Sequence, residues 1–279
     1  NNGYKQKEPL TLKNIFILET NDKQENILQL IEKIKENSNV EYAEPNYIFS
    51  INDFEIASEI IYDKDLSPVS STSTNVPNDP LYSQQINITQ TNIDDVWNEY
   101  TTGDGSQIVA ILDTGVDYTH PDLAANIWIN EAELNGVEGY DDDGNGYVDD
   151  IRGWDFHHNT NTPLDDNMHG THVAGIVGAV GSNGVGIAGA AWNVKLMPIK
   201  ILQASGIGDA STIAQGVEYA SSNGATILNM SFGSYAQSLT LKAALENAYA
   251  TSILVAAAGN DEIQIGPCAT CAPMFPAAY

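Results

Sequence analysis

The chain has 279 residues, 42% of them hydrophobic and 17% charged, a globular composition long enough to bury a core in a domain of about 200 residues. Its 37 acidic against 11 basic residues give a formal charge of -26, which argues against nucleic acid as a partner and suits a secreted, extracellular protein that takes up cations. No apolar run approaches the roughly 20 residues of a membrane span, and two cysteines are too few for a disulfide scaffold. The first residue is Asn1, not Met, so the chain reads as one already shortened at its start.

In chain order, residues 14–49 read as strand, helix, strand. Asn14 to Leu18 is a short apolar run. Ile27, Leu30, Ile31 and Ile34 then fall on one face of a helix whose other face carries Glu32, Lys33, Lys35 and Glu36. Val40 to Phe49, with Tyr42, Tyr47 and Phe49, favours a strand. This unit, residues 1–50, is too small to stand alone and needs a larger partner to pack on. Residues 51–77 end in Ser67 to Pro77, poor in bulky apolar side chains, and read as an exposed linker open to proteolysis. From residue 78 to 279 the pattern is regular. Gln107 to Leu112 is a continuously apolar strand, followed by a helix from His169 and a strand over 195–201. A helix over 211–222, a strand over 225–230, a helix over 239–250 and a strand over 252–258 complete it. Such alternation predicts an α/β fold: a three-layer parallel sheet with helices on both faces, preceded by a small α+β unit.

Several polar residues sit where such a sheet places its chemistry, at the carboxyl ends of strands. Asp113-Thr114-Gly115 follows the first of these strands; alone it reads equally as a plain turn. His169-Gly170-Thr171-His172 opens a helix of small residues, where a lone imidazole reads first as structural. Asn229-Met230-Ser231-Phe232-Gly233 ends another strand, with a glycine that leaves room for a ligand backbone. Asn260 follows the last strand, and its amide either satisfies a loop or donates to an oxyanion. His172 lies three residues beyond His169 with no acidic residue between them, which is not zinc-helix spacing, and it reads as a buried structural histidine. His157 and His158 read as loop residues.

The acidic stretch from Asp141 to Asp150 offers oxygens at Asp141, Asp143, Asn145, the Tyr147 carbonyl and Asp149, in the manner of the first part of an EF-hand loop. Arg152 stands where that loop needs a bidentate Glu, so a complete EF-hand is excluded. Carboxylates about 5 Å apart repel by roughly 0.8 kcal/mol per pair even in water. The stretch therefore reads as a calcium loop or as a well-solvated acidic turn.

Asp113-Thr-Gly, His169-Gly-Thr-His, Ser231-Phe-Gly233 and Gly259-Asn260, in this order, resemble the subtilisin-like serine proteases, the subtilases, over about residues 78–279. Asn78-Asp79-Pro80-Leu81-Tyr82 opens that region in the style of the thermitase-like branch. The resemblance implies a calcium-stabilised, monomeric serine endopeptidase acting on proteins or peptides. Asp113 would orient the imidazole, His169 would act as general base and then acid, and Asn260 would help form the oxyanion hole. Ser231, Phe232 and Gly233 would wall the specificity pocket, with Ser205, Gly206, Ile207 and Gly208 as a partner strand for an extended peptide. Asp79, Asp122, Asn183 and the carbonyls of Val185 and Ile187 match a strong calcium site. Residues 1–50 resemble the later part of a propeptide, the chain's own inhibitor and folding aid, whose closing strand is Val40 to Tyr47 and whose first strand and helix are missing. The maturation cut is expected within 51–77. The Gly-Thr-Ser-Met-Ala nucleophile motif is absent. The chain is therefore expected to end before the catalytic serine and to be inactive by itself, the alternative being a catalytically dead module that binds peptide or calcium. Cys268 and Cys271 read as a loop disulfide or as two free thiols.

Overall fold

A computed structural model describes residues 4–9, 14–20, 26–51, 75–260 and 273–279. Strands β1 (Tyr4–Pro9) and β2 (Phe16–Thr20) pair antiparallel. β2 lies two residues beyond the strand expected over 14–18, and its partner β1 was not expected from the sequence. Helix α1 (Ile27–Lys35) starts where Asn26 accepts the N–H groups of Leu28 and Gln29, and it buries Leu30 and Ile31. Lys33 and Lys35 sit in its last turn, where cations suit the helix dipole.

The strand expected from Val40 to Phe49 is shorter than that. Only β3 (Ile48–Ser50) pairs. Residues 42–47 have no assigned secondary structure; Pro45 has no N–H to donate, and the side chains of Glu44 and Asn46 bind helix ends elsewhere.

Beyond the linker come α2 (Ile86–Gln90), α3 (Ile93–Glu99), β4 (Ile108–Asp113), α4 (Glu131–Leu134), β5 (Trp154–Asp155) and α5 (His169–Gly178). They are followed by β6 (Lys195–Lys200), β7 (Ile207–Asp209), α6 (Ala210–Ser222), β8 (Ile227–Met230), α7 (Leu239–Ala248) and β9 (Ile253–Ala256). Five strands form one parallel sheet in the order β5-β6-β4-β8-β9. β4 is central, and successive side chains point to opposite faces. Ala110 and Leu112 join a cluster with Ile213, Val217, Leu241 and Leu245 of α6 and α7. Val109 and Ile111 join another with Ala174 of α5. The three-layer parallel α/β expectation is borne out.

The continuous apolar run of β4 is explained by this double cover. Helices α6 and α7 start at side-chain caps, Asp209 on the Thr212 N–H and Ser238 on the Leu241 N–H. Most of residues 51–77, expected as a linker, and both Cys268 and Cys271 lie outside the described residues.

Candidate active site

β4 carries Asp113 to the carboxyl edge of the sheet, and α5 starts at His169 directly above it. The Nδ1 of His169 lies 2.7 Å from Oδ1 of Asp113. The carboxylate is fully buried and the imidazole is 9% exposed. Asp113 Oδ1 also accepts the Thr114 N–H at 2.7 Å, while Oδ2 has no hydrogen-bond partner among the described residues. Two glycines make this approach possible. Gly115 has φ of +104°, a backbone that L side chains rarely adopt. A Cβ on Gly170 would meet the Gly115 carbonyl oxygen at 2.1 Å.

The loop before α5 is held by Asp165. Its Oδ1 accepts N–H groups from Asn167 and Met168 and the Thr114 hydroxyl; its Oδ2 accepts the N–H and hydroxyl of Thr171. Burial pulls the Asp165 carboxyl upward, but these bonds outweigh it and hold the group below the ordinary carboxylate range. A buried carboxylate at Nδ1 fixes the tautomer that leaves Nε2 able to accept a proton, and it favours the imidazolium that then forms.

Gly206, Gly208 and Gly233 lie along an extended segment of this same chain. β3 pairs antiparallel with β7, Phe49 opposite Gly208 and Ser50 opposite Ile207. Ile51 donates its N–H to the Gly206 carbonyl at 3.0 Å. On the other side Ser50 and Gly233 exchange N–H···O bonds of 3.1 and 3.0 Å. Residues 48–51 thus run between the two edges as a middle strand. Phe49 is fully buried, its ring edge-on to Phe232 at 6.1 Å. Ser205 lies in the exposed turn before β7, and Ser231 accepts the Asn229 amide. Asn260 is exposed, beyond the end of β9, at the last described residue of that loop.

The approach to this groove is anchored at two helix starts. Glu44 accepts the N–H groups of Leu239 and Thr240 and the Ser238 hydroxyl at the start of α7. Asn46 donates to Asp209 and Ser211 and accepts the Ser211 N–H at the start of α6. Neither residue stands out in the sequence.

Two oxygen-rich clusters were expected. Near α2, Asp79 accepts the N–H groups of Ser182 and Asn183, and Asp122 accepts the Asn183 amide and the Ile187 N–H. Asn183 in turn accepts the Val185 N–H. These bonds link the five residues named for that site, Val185 and Ile187 through their N–H groups and not through the carbonyls expected as ligands.

In the acidic loop, Asp141 and Asn145 accept N–H groups of the loop itself. Tyr147 packs its ring tilted against Trp154 and edge-on to Tyr219, and Asp149 accepts the Gly139 N–H. The carboxylates that converge are Glu133, Asp143 and Asp150, with oxygens within 4.8 Å of one another, and Glu133 and Asp150 are buried. Burial raises the Asp150 carboxyl in spite of hydrogen bonds from Tyr219, Asn145 and Asn130. Glu133 and Asp150 were not foreseen; Glu133 lies eight residues before the acidic run.

Two histidine readings change. His172 is exposed, not buried, because it shares with Ile176 the face of α5 turned away from the sheet, opposite Gly170, Ala174 and Gly178. His158 is more than a loop residue: its Nδ1 lies 2.7 Å from the buried Asp155.

A parallel α/β sheet with a buried carboxylate–imidazole pair at the strand ends, beside a groove that holds an extended segment, defines the class. Residues 104–278 match the subtilase family, and the chain belongs to it. It is 34% identical over 238 residues to the thermophilic serine proteinase of Bacillus sp. (strain AK1), covering 85% of this chain and 48% of that protein. It is 35% identical over 205 residues to thermitase of Thermoactinomyces vulgaris, covering 73% and 62%, in keeping with the thermitase-like branch. Among solved structures it is similar to fervidolysin of Fervidobacterium pennivorans, a keratinolytic enzyme related to subtilisin. That likeness has a TM-score of 0.53 and 26% identity, over 68% of this chain and 26% of that one. The chain spans about half the length of the Bacillus relative it matches.

Proposed function

We propose that the chain is part of the precursor of a secreted serine endopeptidase, with Asp113 and His169 as two members of its triad. The observation that carries this reading is the 2.7 Å pair at the end of β4, beside a groove in which residues 48–51 lie as a substrate strand. His169 Nε2 takes the proton of a serine hydroxyl as it attacks the peptide carbonyl, then returns it to the leaving amine; Asp113 stays ionised throughout. Asn260 donates to the oxyanion. The Gly-Thr-Ser-Met-Ala motif that would carry that serine is not among these 279 residues.

Residues 1–50 act as the propeptide. Their last strand occupies the groove through the same main-chain bonds a substrate makes, so cleavage of other chains waits for its removal after a cut in 51–77. The helix-start bonds of Glu44 and Asn46 support this docking.

Calcium is assigned to both oxygen clusters. The donor chemistry fits: the Glu133, Asp143 and Asp150 oxygens converge, Asp79 and Asp122 are buried about Asn183, and none of the five carboxylates has a lysine or arginine ion pair among the described residues. Asp79, Asp122 and Asn183, with carbonyls of Val185 and Ile187, would hold one ion; Glu133, Asp143 and Asp150 would be the core of the other, beside Asp141 and Asn145. Bound there, calcium supplies charge compensation that fixes two loops.

The test is made on the full-length protein. His169→Ala is expected to lower peptide cleavage by about 10⁴-fold or more while leaving the fold intact. Undiminished cleavage, or cleavage indifferent to serine-directed reagents, would overturn the proposal.

A further inference from the structure

Lys200 is a buried cation that the roles above leave without a task. It ends β6, in register with Asp113 on one side and Asp155 on the other. Only 1% of it is exposed, and an ammonium so deeply placed is tolerated only if its three N–H groups are all bound. They are. Nζ donates to the Thr114 carbonyl at 2.6 Å, to the Leu202 carbonyl at 2.9 Å and to Asp166 Oδ1 at 2.6 Å.

The choice of partners is informative. Asp155, the buried carboxylate beside Lys200 on β5, bonds to His158 instead. The lysine reaches the other way, to the two segments that carry the pair. Thr114 follows Asp113, gives its N–H to the Asp113 carboxylate and receives the Gly170 N–H on its hydroxyl. Asp166 belongs to the loop that Asp165 anchors, three residues before His169. One ammonium therefore ties the turn bearing the carboxylate to the loop bearing the imidazole. Asp166 is 41% exposed, so its ion pair is partly screened, and the buried bonds to Thr114 and Leu202 carry more of the restraint.

We propose that Lys200 is the positioning residue of the Asp113–His169 pair, holding the end of β4 and the start of α5 in one geometry. The proposal rests on the reading of that pair as catalytic, but its test does not use peptide cleavage. The readout is the downfield proton resonance of His169 Nδ1–H in the 279-residue chain, and its exchange with water. In Lys200→Met the stem remains and the donors go; the resonance is expected to vanish, or its exchange to quicken by about tenfold, while the backbone amide spectrum stays that of a folded protein. Should Lys200→Met not fold, Asp166→Ala removes one half-exposed anchor and is expected to quicken exchange by about threefold. Asp155→Asn alters the other neighbour of Lys200 and is expected to leave the resonance in place.

Unchanged exchange in Lys200→Met, or in Asp166→Ala where that is the variant that folds, would overturn the assignment. So would the same loss in Asp155→Asn, which would mark a general loosening of the sheet edge. A parent chain with no such resonance would overturn the carboxylate–imidazole pair itself, and with it this inference.

Discussion

At Gly170 the space for chemistry is set by the absence of one carbon. A Cβ there would stand 2.1 Å from the Gly115 carbonyl oxygen and 3.0 Å from the Asp113 Cβ, both on a turn that has no room to yield. Gly170→Ala must therefore lift the first turn of α5 from the end of β4. Helix propensity favours alanine, but by only about 1 kcal/mol, and overpacking of this kind costs about 1–3 kcal/mol. The expected net result is lower stability in a denaturant melt, together with loss of the His169–Asp113 hydrogen bond; a variant more stable than the parent would contradict the tight approach. The two members of the pair were legible in the sequence because Asp-Thr-Gly and His-Gly-Thr-His bring their own glycines with them. Lys200 was not. Two of its three partners lie 86 and 34 residues away, and a lysine closing an apolar strand looks like any strand end until the neighbouring strand is known.

Among the elements, β4, β6, β8 and β9 and helices α5, α6 and α7 were legible as runs of one pattern, whereas β5, only two residues long, was not. The stretch from 40 to 47 was misread for a physical reason. Its aromatic residues suit a strand, but its backbone forms no ladder: the Tyr47 carbonyl accepts the Ala210 N–H at the start of α6, and Glu44 and Asn46 cap α7 and α6 from outside those helices. This arrangement has a consequence for pH. Burial raises the Asp209 carboxyl; bonds from Ser211, Thr212 and Asn46 more than reverse that, leaving it below its ordinary value. A carboxyl with a lowered native value contributes stability that is complete above about pH 4 and is lost as pH falls through the native value. Asn46→Ala removes one of the lowering bonds. The Asp209 titration, followed by carboxyl-carbon NMR, is then expected to move upward toward the ordinary range, and acid unfolding to start at higher pH. An unmoved titration would show that segment 42–51 does not rest on α6 in solution.

For the molecule as a whole the governing quantity is charge. With -26 at neutral pH, folding gathers carboxylates that would otherwise spread apart: Glu133, Asp143 and Asp150 bring oxygens within 4.8 Å of one another, and the buried Asp79 and Asp122 share Asn183 as a donor. Two kinds of relief are possible: general screening by salt, or specific binding at the clusters. They separate experimentally. Screening depends on ionic strength and treats sodium, magnesium and calcium by charge alone. Specific binding raises stability by mass action, about 2.7 kcal/mol at a hundred times the dissociation constant, which in a chain of this size is about 5–10 °C in the midpoint of a thermal melt. Chelation is thus expected to lower the midpoint by about that amount at fixed ionic strength, with calcium restoring it and magnesium, at equal concentration, doing so only weakly. Asp79→Asn and Glu133→Gln are each expected to remove part of the calcium response. The two clusters share no residue, so the double variant is expected to remove the sum of the two losses. A midpoint that follows ionic strength and ignores the identity of the cation would leave both clusters as acidic surface and core with no ion of their own. If only Asp79→Asn blunts the response, the ion belongs to the site that the sequence could specify in full. The loop around Asp141, whose buried donors came from Glu133 and Asp150 and not from the linear pattern, would then stand as a hydrogen-bonded turn.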